Sequence, residues 1–489
     1  MPSKRLTLIL LSAGILSGCA VGPAYKKPEA ALPERYMGQS QVLDRQASAE
    51  ANIAKWWESF GDAQLTRFIS IALAQNLDIA QAQARIAQAG AGLSTAKSAL
   101  LPSGNLNTQA TRNHQSLESP LGQLLNAVPG YDRDATLYEA NFNAGWELDV
   151  FGGLTRQKEA AIAEYQATQA GAIATQLAIA AQTADLYVTI RGLQYRLDIA
   201  RKQLETQQQL ASKIKLLHAR GLAPKLQVEQ TEAAVLQVAA YIPVLENGID
   251  VAMNAFDVIL GEAPGKYRDE LSVMQPIPAA PQITSLGHPR DLLTRRPDLI
   301  VAERRLAMAN AKIGQAIAEY YPKVGLNLLI GSATAISGGN LFSNAANQAA
   351  AIAGLRWRLF DFGRIDAQIN LAKGQEAQLL AAYKQSTLRA TEDVENALSS
   401  LVKREAQSVQ LAQAEQALTQ ACKTSFVAYQ RGVVSLIEVL HADENLLRVS
   451  DAKAQSQTES ARSAIAAFKA LGGGWDASGS QDAVVSSAR

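Results

Sequence analysis

Residues 76–102 recur without a gap in residues 296–322 at a constant offset of 220 (322 − 102), with Asp78/Asp298, Ala82/Ala302, Arg85/Arg305, Ala87/Ala307 and Pro102/Pro322 coinciding. A second block, 146–236, recurs in 357–447 at an offset of 211 (357 − 146) and matches Trp146/Trp357, Phe151/Phe362, Gly152/Gly363, Arg220/Arg431 and Gly221/Gly432. A duplication of such long period over mixed strand and helix segments implies a pseudo-symmetric architecture, in which each half supplies equivalent parts to one assembly. Ordinary enzyme cores are not written this way.

Between the copies, the 489-residue chain has a proline-rich break only around 276–289. The organisation expected is a first repeat over 62–275 (hairpin 103–151, long helices 155–260), a linker at 276–288, and a second repeat over 289–471 (hairpin 323–361, long helices 365–470). An extended segment at 19–61 and a flexible tail at 472–489 flank them. Aromatic residues make up only 6%, and Ala, Gln and Leu dominate the stretches after each repeated Trp, a composition for long, closely packed helices. Net charge is +1, and loss of Lys4 and Arg5 with a leader leaves 44 basic residues (46 − 2) against 45 acidic. Neither nucleic acid nor acidic lipid is an expected partner on charge grounds.

Residues 1–18 combine a basic start, an apolar run over 6–16 and the ending Leu16-Ser17-Gly18 before Cys19, which reads as an export leader closed by a lipoprotein cleavage box. Lipid on Cys19 would tether the mature chain to a leaflet, with two or more acyl chains needed for stable anchoring. Ala20 follows where an aspartate would resemble retention at the inner membrane, so the expected destination is the outer membrane. Cys422 then has no partner for an intrachain disulfide and is expected to pack as an apolar residue on a helix.

The strand signals are few. Tyr138, Ala140, Phe142, Ala144, Trp146, Leu148 and Val150 alternate with polar or small residues, and Ala351, Ala353, Leu355, Trp357 and Leu359 do the same in the second copy. Each has a predecessor after the repeated proline, Leu106, Thr108 and Ala110 in one copy and Val324, Leu326, Leu328 and Ile330 in the other. These segments can supply the roughly 9–11 residues of a transmembrane strand, with Trp146 and Trp357 at an interfacial girdle. Four strands cannot close in lipid without leaving backbone groups unsatisfied, whereas three chains would pool about 12 around a wet lumen. Segments 114–134 and 332–348 become the loops on the far side.

The helices are unusually long. Residues 155–218 contain no proline and two glycines, and 365–429 contain one glycine, so each can run for about 64 residues, roughly 95 Å. Helices over 225–260 and 76–101, and over 436–470 and 296–321, sum to about the same length, so two short helices stacked end to end would match one long one. Three chains could close these tracks into a second, helical cylinder. Arg220-Gly221 and Arg431-Gly432 stand where each long helix must stop, since glycine accepts the left-handed cap conformation.

Trp56-Trp57-Glu58-Ser59-Phe60-Gly61-Asp62, Arg296-Pro297-Asp298-Leu299, Tyr321-Pro322 and Phe360-Asp361-Phe362-Gly363, in that order from Cys19 to about Gly474, resemble the outer membrane factor family, the outer-membrane efflux lipoproteins of tripartite pumps. The resemblance implies an internally duplicated α+β channel-tunnel: a homotrimeric 12-stranded outer-membrane β-barrel continued by a periplasmic α-helical barrel. It implies docking to a periplasmic adaptor protein and, through it, an inner-membrane transporter of the resistance-nodulation-division type. Arg220, Gly221, Arg431, Gly432 and Ser435 would then form the adaptor-docking tips. Ile437 and His441 match the apolar and acidic positions of the family's periplasmic gate, although an aspartate is usual where His441 stands. Asp443 and Glu444 are expected to supply carboxylates instead, and a ring of three histidines could repel itself in mildly acidic medium.

Catalysis finds no support. His114, His218, His288 and His441 lack ligand spacing, and no phosphate-cradling loop or nucleophile arrangement is present. No metal and no cofactor beyond the lipid on Cys19 is expected. The alternative function is a structural lipoprotein bridging outer membrane and periplasm without transport.

Overall fold

The computed structural model describes residues 20–29, 32–40, 52–281, 283, 287–336 and 338–475. The leader, Cys19 and the tail from 476 onward lie outside these residues. In chain order the first copy comprises α1 (Ala63–Gln75), α2 (Leu77–Ser98), β1 (Ser103–His114), α3 (Pro120–Asn126), β2 (Asp134–Leu148), α4 (Gly153–Ala219), α5 (Lys225–Ile259) and α6 (Arg268–Ser272). The second comprises α7 (Leu292–Arg295), α8 (Pro297–Ala318), β3 (Lys323–Thr334), β4 (Asn347–Arg356), α9 (Arg364–Gln430) and α10 (Leu436–Ala470). Both long helices have 67 residues, so the absence of internal proline was a sound guide to their extent. Among the described residues no helix is long and apolar enough to cross a membrane.

The chain divides into two compact units, one built from Met1–Pro28, Ala87–Gln166 and Glu303–Ala381, the other from Glu29–Ile86, Ala167–Ala302 and Ala382–Arg489. Each draws on both copies. The boundaries 62–275 and 289–471 thus mark the duplication, not the compact bodies.

The first unit holds one antiparallel sheet in the order β1-β2-β3-β4. Its two hairpins share a register: β1–β2 pairing ends at Ser103 opposite Gly145, and β3–β4 pairing ends at the equivalent Lys323 opposite Arg356. The copies join through β2 and β3, paired from Tyr138 opposite Thr334 to Leu148 opposite Val324. β1 and β4 form the two edges. Alternation had suggested strand through Leu359, but β4 stops at Arg356.

The second unit is held by an aromatic core. Trp56 stacks on Phe468 of α10 (centroids 5.6 Å apart, 11° between planes), which gives the tryptophan-rich motif a packing role. Residues 53–60, expected to be extended, form a kinked 3₁₀ segment that buries Trp56, Trp57 and Phe60. Phe68 of α1 meets Phe256 of α5 edge to face at 5.0 Å. The short helices do stack end to end. Asn76 accepts from the amides of Asp78 and Ile79, capping α2, while its Nδ2 donates to the carbonyl of Ile259, the last residue of α5 (2.8 Å). At the equivalent junction, Arg296 Nη1 donates to the carbonyl of Ala470, the last residue of α10 (3.3 Å).

Candidate channel sites at the sheet rim and the helix tips

In the first unit, aromatic side chains collect where β2 and β4 end. Trp146 Nε1 donates to the carbonyl of Leu100 (2.9 Å), and Trp357 Nε1 donates to the equivalent carbonyl of Tyr320 (3.0 Å). Phe151 stacks on Tyr321 at 4.7 Å. An indole with one polar edge satisfied and its rings exposed suits a membrane interface.

The residues that follow Cys19 are seated at this rim. Val21 N donates to the carbonyl of Phe151 (3.2 Å), and Arg156 donates from Nε to Val21 O (3.1 Å) and from Nη2 to Gly22 O (3.2 Å). Gly152, at φ +77°, makes room, since a Cβ there would come within 2.7 Å of Ala20. Further along, Tyr25 donates to the buried Glu303 (2.5 Å). Cys19 itself lies outside the described residues, while Ala20 lies against Gly152 and Val21 bonds to Phe151. Gly314 leaves room for the Arg156 side chain, since a Cβ there would come within 2.8 Å of Arg156 Nε, whereas the equivalent positions of the other copy, Ala367 for Arg156 and Ser94 for Gly314, do not repeat the pair.

In the second unit, both long helices end in the same motif. Gly221 (φ +73°) and Gly432 (φ +70°) take the left-handed position after the cap residues Arg220 and Arg431. Their amides donate to His218 O and Tyr429 O (2.9 Å each), and the following amides of Leu222 and Val433 reach back to Leu217 O and Ala428 O (2.9 Å each). These are paired Schellman closures, which satisfy carbonyls that the helix end leaves free. Beneath them Leu210, Ile214, Ala223, Leu436 and Val439 form a small buried cluster. Ser435 takes the N-cap of α10 without a side-chain bond to a helix amide, as Pro224 does for α5.

Ile437, His441 and Glu444 line one groove of about 630 Å³ together with Gln230, Tyr241 and Arg448. Of the first-copy counterparts Leu226 and Gln230, only Gln230 reaches the groove. His441 Nδ1 lies 3.8 Å from the Glu444 carboxylate.

Asp443 departs from the expectation. It is 9% exposed, absent from the groove, and accepts from Gln207 Nε2 of α4 (3.2 Å) and from the thiol of Cys422. Adjacent residues on a helix point about 100° apart, so Asp443 and Glu444 cannot serve one face. Burial raises the Asp443 pKa above the usual carboxylate range, against the opposing hydrogen bonds from Cys422 and Gln207. Cys422, expected to be an apolar filler, donates to Asp443, and burial followed by the nearby carboxylate pushes its thiol up to about 12.

A carboxyl whose folded pKa is raised adds stability that is complete below its unfolded pKa and is lost as pH rises through the folded value. Asp443→Asn is therefore expected to raise the melting temperature relative to the parent, by an amount that grows from acidic towards neutral pH. The amide would also offer a donor to Gln207 Oε1, which is buried without a partner. Differential scanning fluorimetry across that range checks this, and a difference that is flat with pH would contradict it.

Ile437, His441, Glu444 and Arg448 share one face of α10 at spacings of four, three and four, and the next step of three, Asp451, lines the same groove. Arg196 of α4 grips Asp451 with Nε and Nη2 (2.7 and 3.0 Å) and also reaches the hydroxyl of Tyr241 on α5. A second bidentate pair, Arg462 to Asp185 (2.7 and 3.2 Å), joins α10 to α4 further along.

The pattern that defines the outer membrane efflux protein family matches residues 68–262 and 288–473, one segment in each copy of the repeat. The chain is 29% identical over 482 residues to the pyoverdine export outer membrane protein OpmQ of Pseudomonas putida, covering 97% of this chain and 98% of that one. It is also 29% identical over 492 residues to the toluene efflux pump outer membrane protein TtgF of the same species, covering 98% and 99%. Among solved structures, the outer-membrane channel OprN matches with a TM-score of 0.84 at 29% identity, covering 94% of this chain and 100% of that one.

Proposed function

Since the chain belongs to the outer membrane efflux protein family and is an outer-membrane efflux channel, we propose that three copies form one passive conduit that carries small molecules from the periplasm to the exterior. The observation that carries this reading is the open sheet: four strands in line, with β1 and β4 as its two edges among the described residues. In lipid such edges must be closed, and three chains would do so with about 12 strands around a water-filled lumen.

Lipid on Cys19 supplements the strands as an anchor. Support comes from Ala20 and Val21, the first described residues after Cys19, which sit beside Gly152 and Phe151 at the aromatic rim. The tips at Gly221 and Gly432 receive the periplasmic adaptor, and an inner-membrane transporter of the resistance-nodulation-division type supplies energy through it. Two relatives equally similar to this chain are named for pyoverdine and for toluene, so overall similarity selects no cargo.

Protein extracted in detergent and reconstituted in planar bilayers tests the reading. Stable conductance from a trimer is the expected result, whereas a trimer that conducts nothing even with adaptor present would favour the structural lipoprotein. The groove face of α10 is proposed as the gate, with His441, Glu444, Arg448 and Asp451 of α10 and Tyr241 of α5 as the charged and titratable groups around it. His441→Ala is expected to flatten the dependence of conductance on pH between mildly acidic and neutral medium, and an unchanged dependence would remove histidine from the gate.

A further inference from the structure

Away from the tip, ion pairs fasten α10 to its neighbours: Asp451 to Arg196 of α4 (2.7 Å), Arg462 to Asp185 of α4 (2.7 Å) and Lys453 to Glu415 of α9 (2.6 Å). Nearer the tip the polar tie is of another kind. Asp443 is 9% exposed, and its hydrogen bonds come from Gln207 of α4, itself 3% exposed, and from the thiol of Cys422 on α9, neither of them a cation. The repeat shows the ordinary alternative. The counterpart of Asp443 is Glu232 of α5, which is exposed and pairs with Lys215 of α4 (2.8 Å). In the second copy Phe426 stands where that lysine would be, and Lys213 of α4 lies over its ring (5.4 Å). Leu418 and Ala211 occupy the positions equivalent to Gln207 and Cys422, so the repeat does not reproduce the polar set.

One atom of the set is left over. Gln207 Nε2 donates to Asp443 Oδ2 (3.2 Å), but Gln207 Oε1 is buried and receives no donor. An ionised Asp443 has no proton to give it, and a buried charge that no cation faces is costly. A protonated Asp443 removes both difficulties, because a carboxylic acid and a primary amide each present a donor beside an acceptor.

We propose that Asp443 is a proton-binding site that locks the tip end of α10 onto α4 and α9. Packed between the helices, the carboxyl carries its proton and supplies the donor that Gln207 Oε1 lacks. When this end of α10 is released to water, the O–H bond breaks, the proton passes to solvent and the carboxylate remains, so each release frees one proton per chain. The titratable and charged groups around the site are Cys422 of α9, which donates to it, and on α10 itself His441 and Glu444, which line the groove that Asp443 does not enter; α4 presents the neutral Gln207. Burial holds the packed carboxyl above its ordinary range, so acid opposes release and a rise of pH out of that range favours it. Since α10 also carries the proposed gate face, the lock holds the gate shut. That consequence rests on the gate reading above, and the proton site itself does not.

Hydrogen exchange of peptides covering 436–447 in the full-length chain tests the site, because amide exchange reports local opening of a helix end. After correction for the intrinsic pH dependence of exchange, opening in the parent is expected to rise with pH by up to about tenfold per unit, the limit for one proton released per opening, and then to level off. Asp443→Asn, which cannot ionise, is expected to exchange slowly and to lack this slope. A flat parent profile, or a slope that survives in the Asn variant, overturns the proton site. Open probability in planar bilayers at neutral pH separates the lock from the gate. The Asn variant is expected to open several-fold less often than the parent. An equal open probability with the exchange slope present overturns the link to the gate and leaves the proton site standing.

Discussion

Arg191→Leu is expected to destabilise the protein by about 2–4 kcal/mol, because it removes the donor from several acceptors held around one buried side chain. Arg191 is fully buried, and its Nη1 donates to the carbonyls of Leu271 (3.1 Å) and Val273 (2.8 Å) and to Gln194 Oε1 (2.8 Å). Nη2 donates to Gln64 Oε1 (2.5 Å) at the start of α1. The guanidinium also lies 4.9 Å from the Tyr187 ring centre, whose hydroxyl donates to Asp62 (2.9 Å) and whose pKa burial pushes up to about 12. One side chain on α4 therefore ties down both the entry to α1 and the exit from α6. Leucine fills the space but leaves the Val273 carbonyl and the Gln64 amide oxygen without this donor, and each such loss costs about 1–3 kcal/mol. Lysine restores the charge without the planar fork and should recover only part of the loss. Tryptic cleavage should appear at Lys266 and Arg268 in the leucine variant, together with a lower melting temperature. An unchanged digest and an unchanged melt would show that the clamp contributes nothing.

What could be read before any coordinates were known follows a physical division. Short-range rules worked where local chemistry decides the outcome. Period-two alternation found all four strands, and α10 was bounded at Leu436 and Ala470 because a turn precedes it and Gly472 (φ +75°) follows it. The same rules fail where a neighbour decides. Trp357, Arg358 and Leu359 alternate as well as Trp146, Glu147 and Leu148 do, but among the described residues the latter alone have a strand beside them. Pro243 sits inside α5, which runs through it as the expected helix over 225–260 does, although propensity alone prices an interior proline at about 3 kcal/mol. α3, in the loop between β1 and β2, went unforeseen, although Ser119 followed by Pro120 is an N-cap and N1 signal. Asp443 was misplaced for lack of partners on other helices, because Gln207 and Cys422 are far from it in sequence. The interleaved units were illegible for the same reason.

Valine at both Gly221 and Gly432 is expected to cost roughly 1–2 kcal/mol at each tip, the penalty for an L side chain in the left-handed region, and to abolish efflux that depends on the adaptor. The effect comes from the backbone, since a Cβ at either glycine would meet nothing within 4 Å. Asparagine tolerates the left-handed region far better than valine, so the matching double Asn variant should keep most of both stability and efflux. The turns carry exposed apolar side chains at equivalent positions, Leu222 at 71% and Val433 at 74%, and an apolar group presented on a defined turn in both copies is a natural contact for another protein. A change of turn geometry would re-aim these side chains while the buried cluster beneath, Leu210, Ile214, Leu436 and Val439, keeps the helices together. The double valine variant should therefore remain assembled and able to conduct in bilayers, yet fail to cross-link to the adaptor and fail to restore drug tolerance to a strain lacking the channel. Normal cross-linking and normal tolerance in that variant would show that the tips are helix caps and nothing more, and would move adaptor recognition elsewhere on the chain.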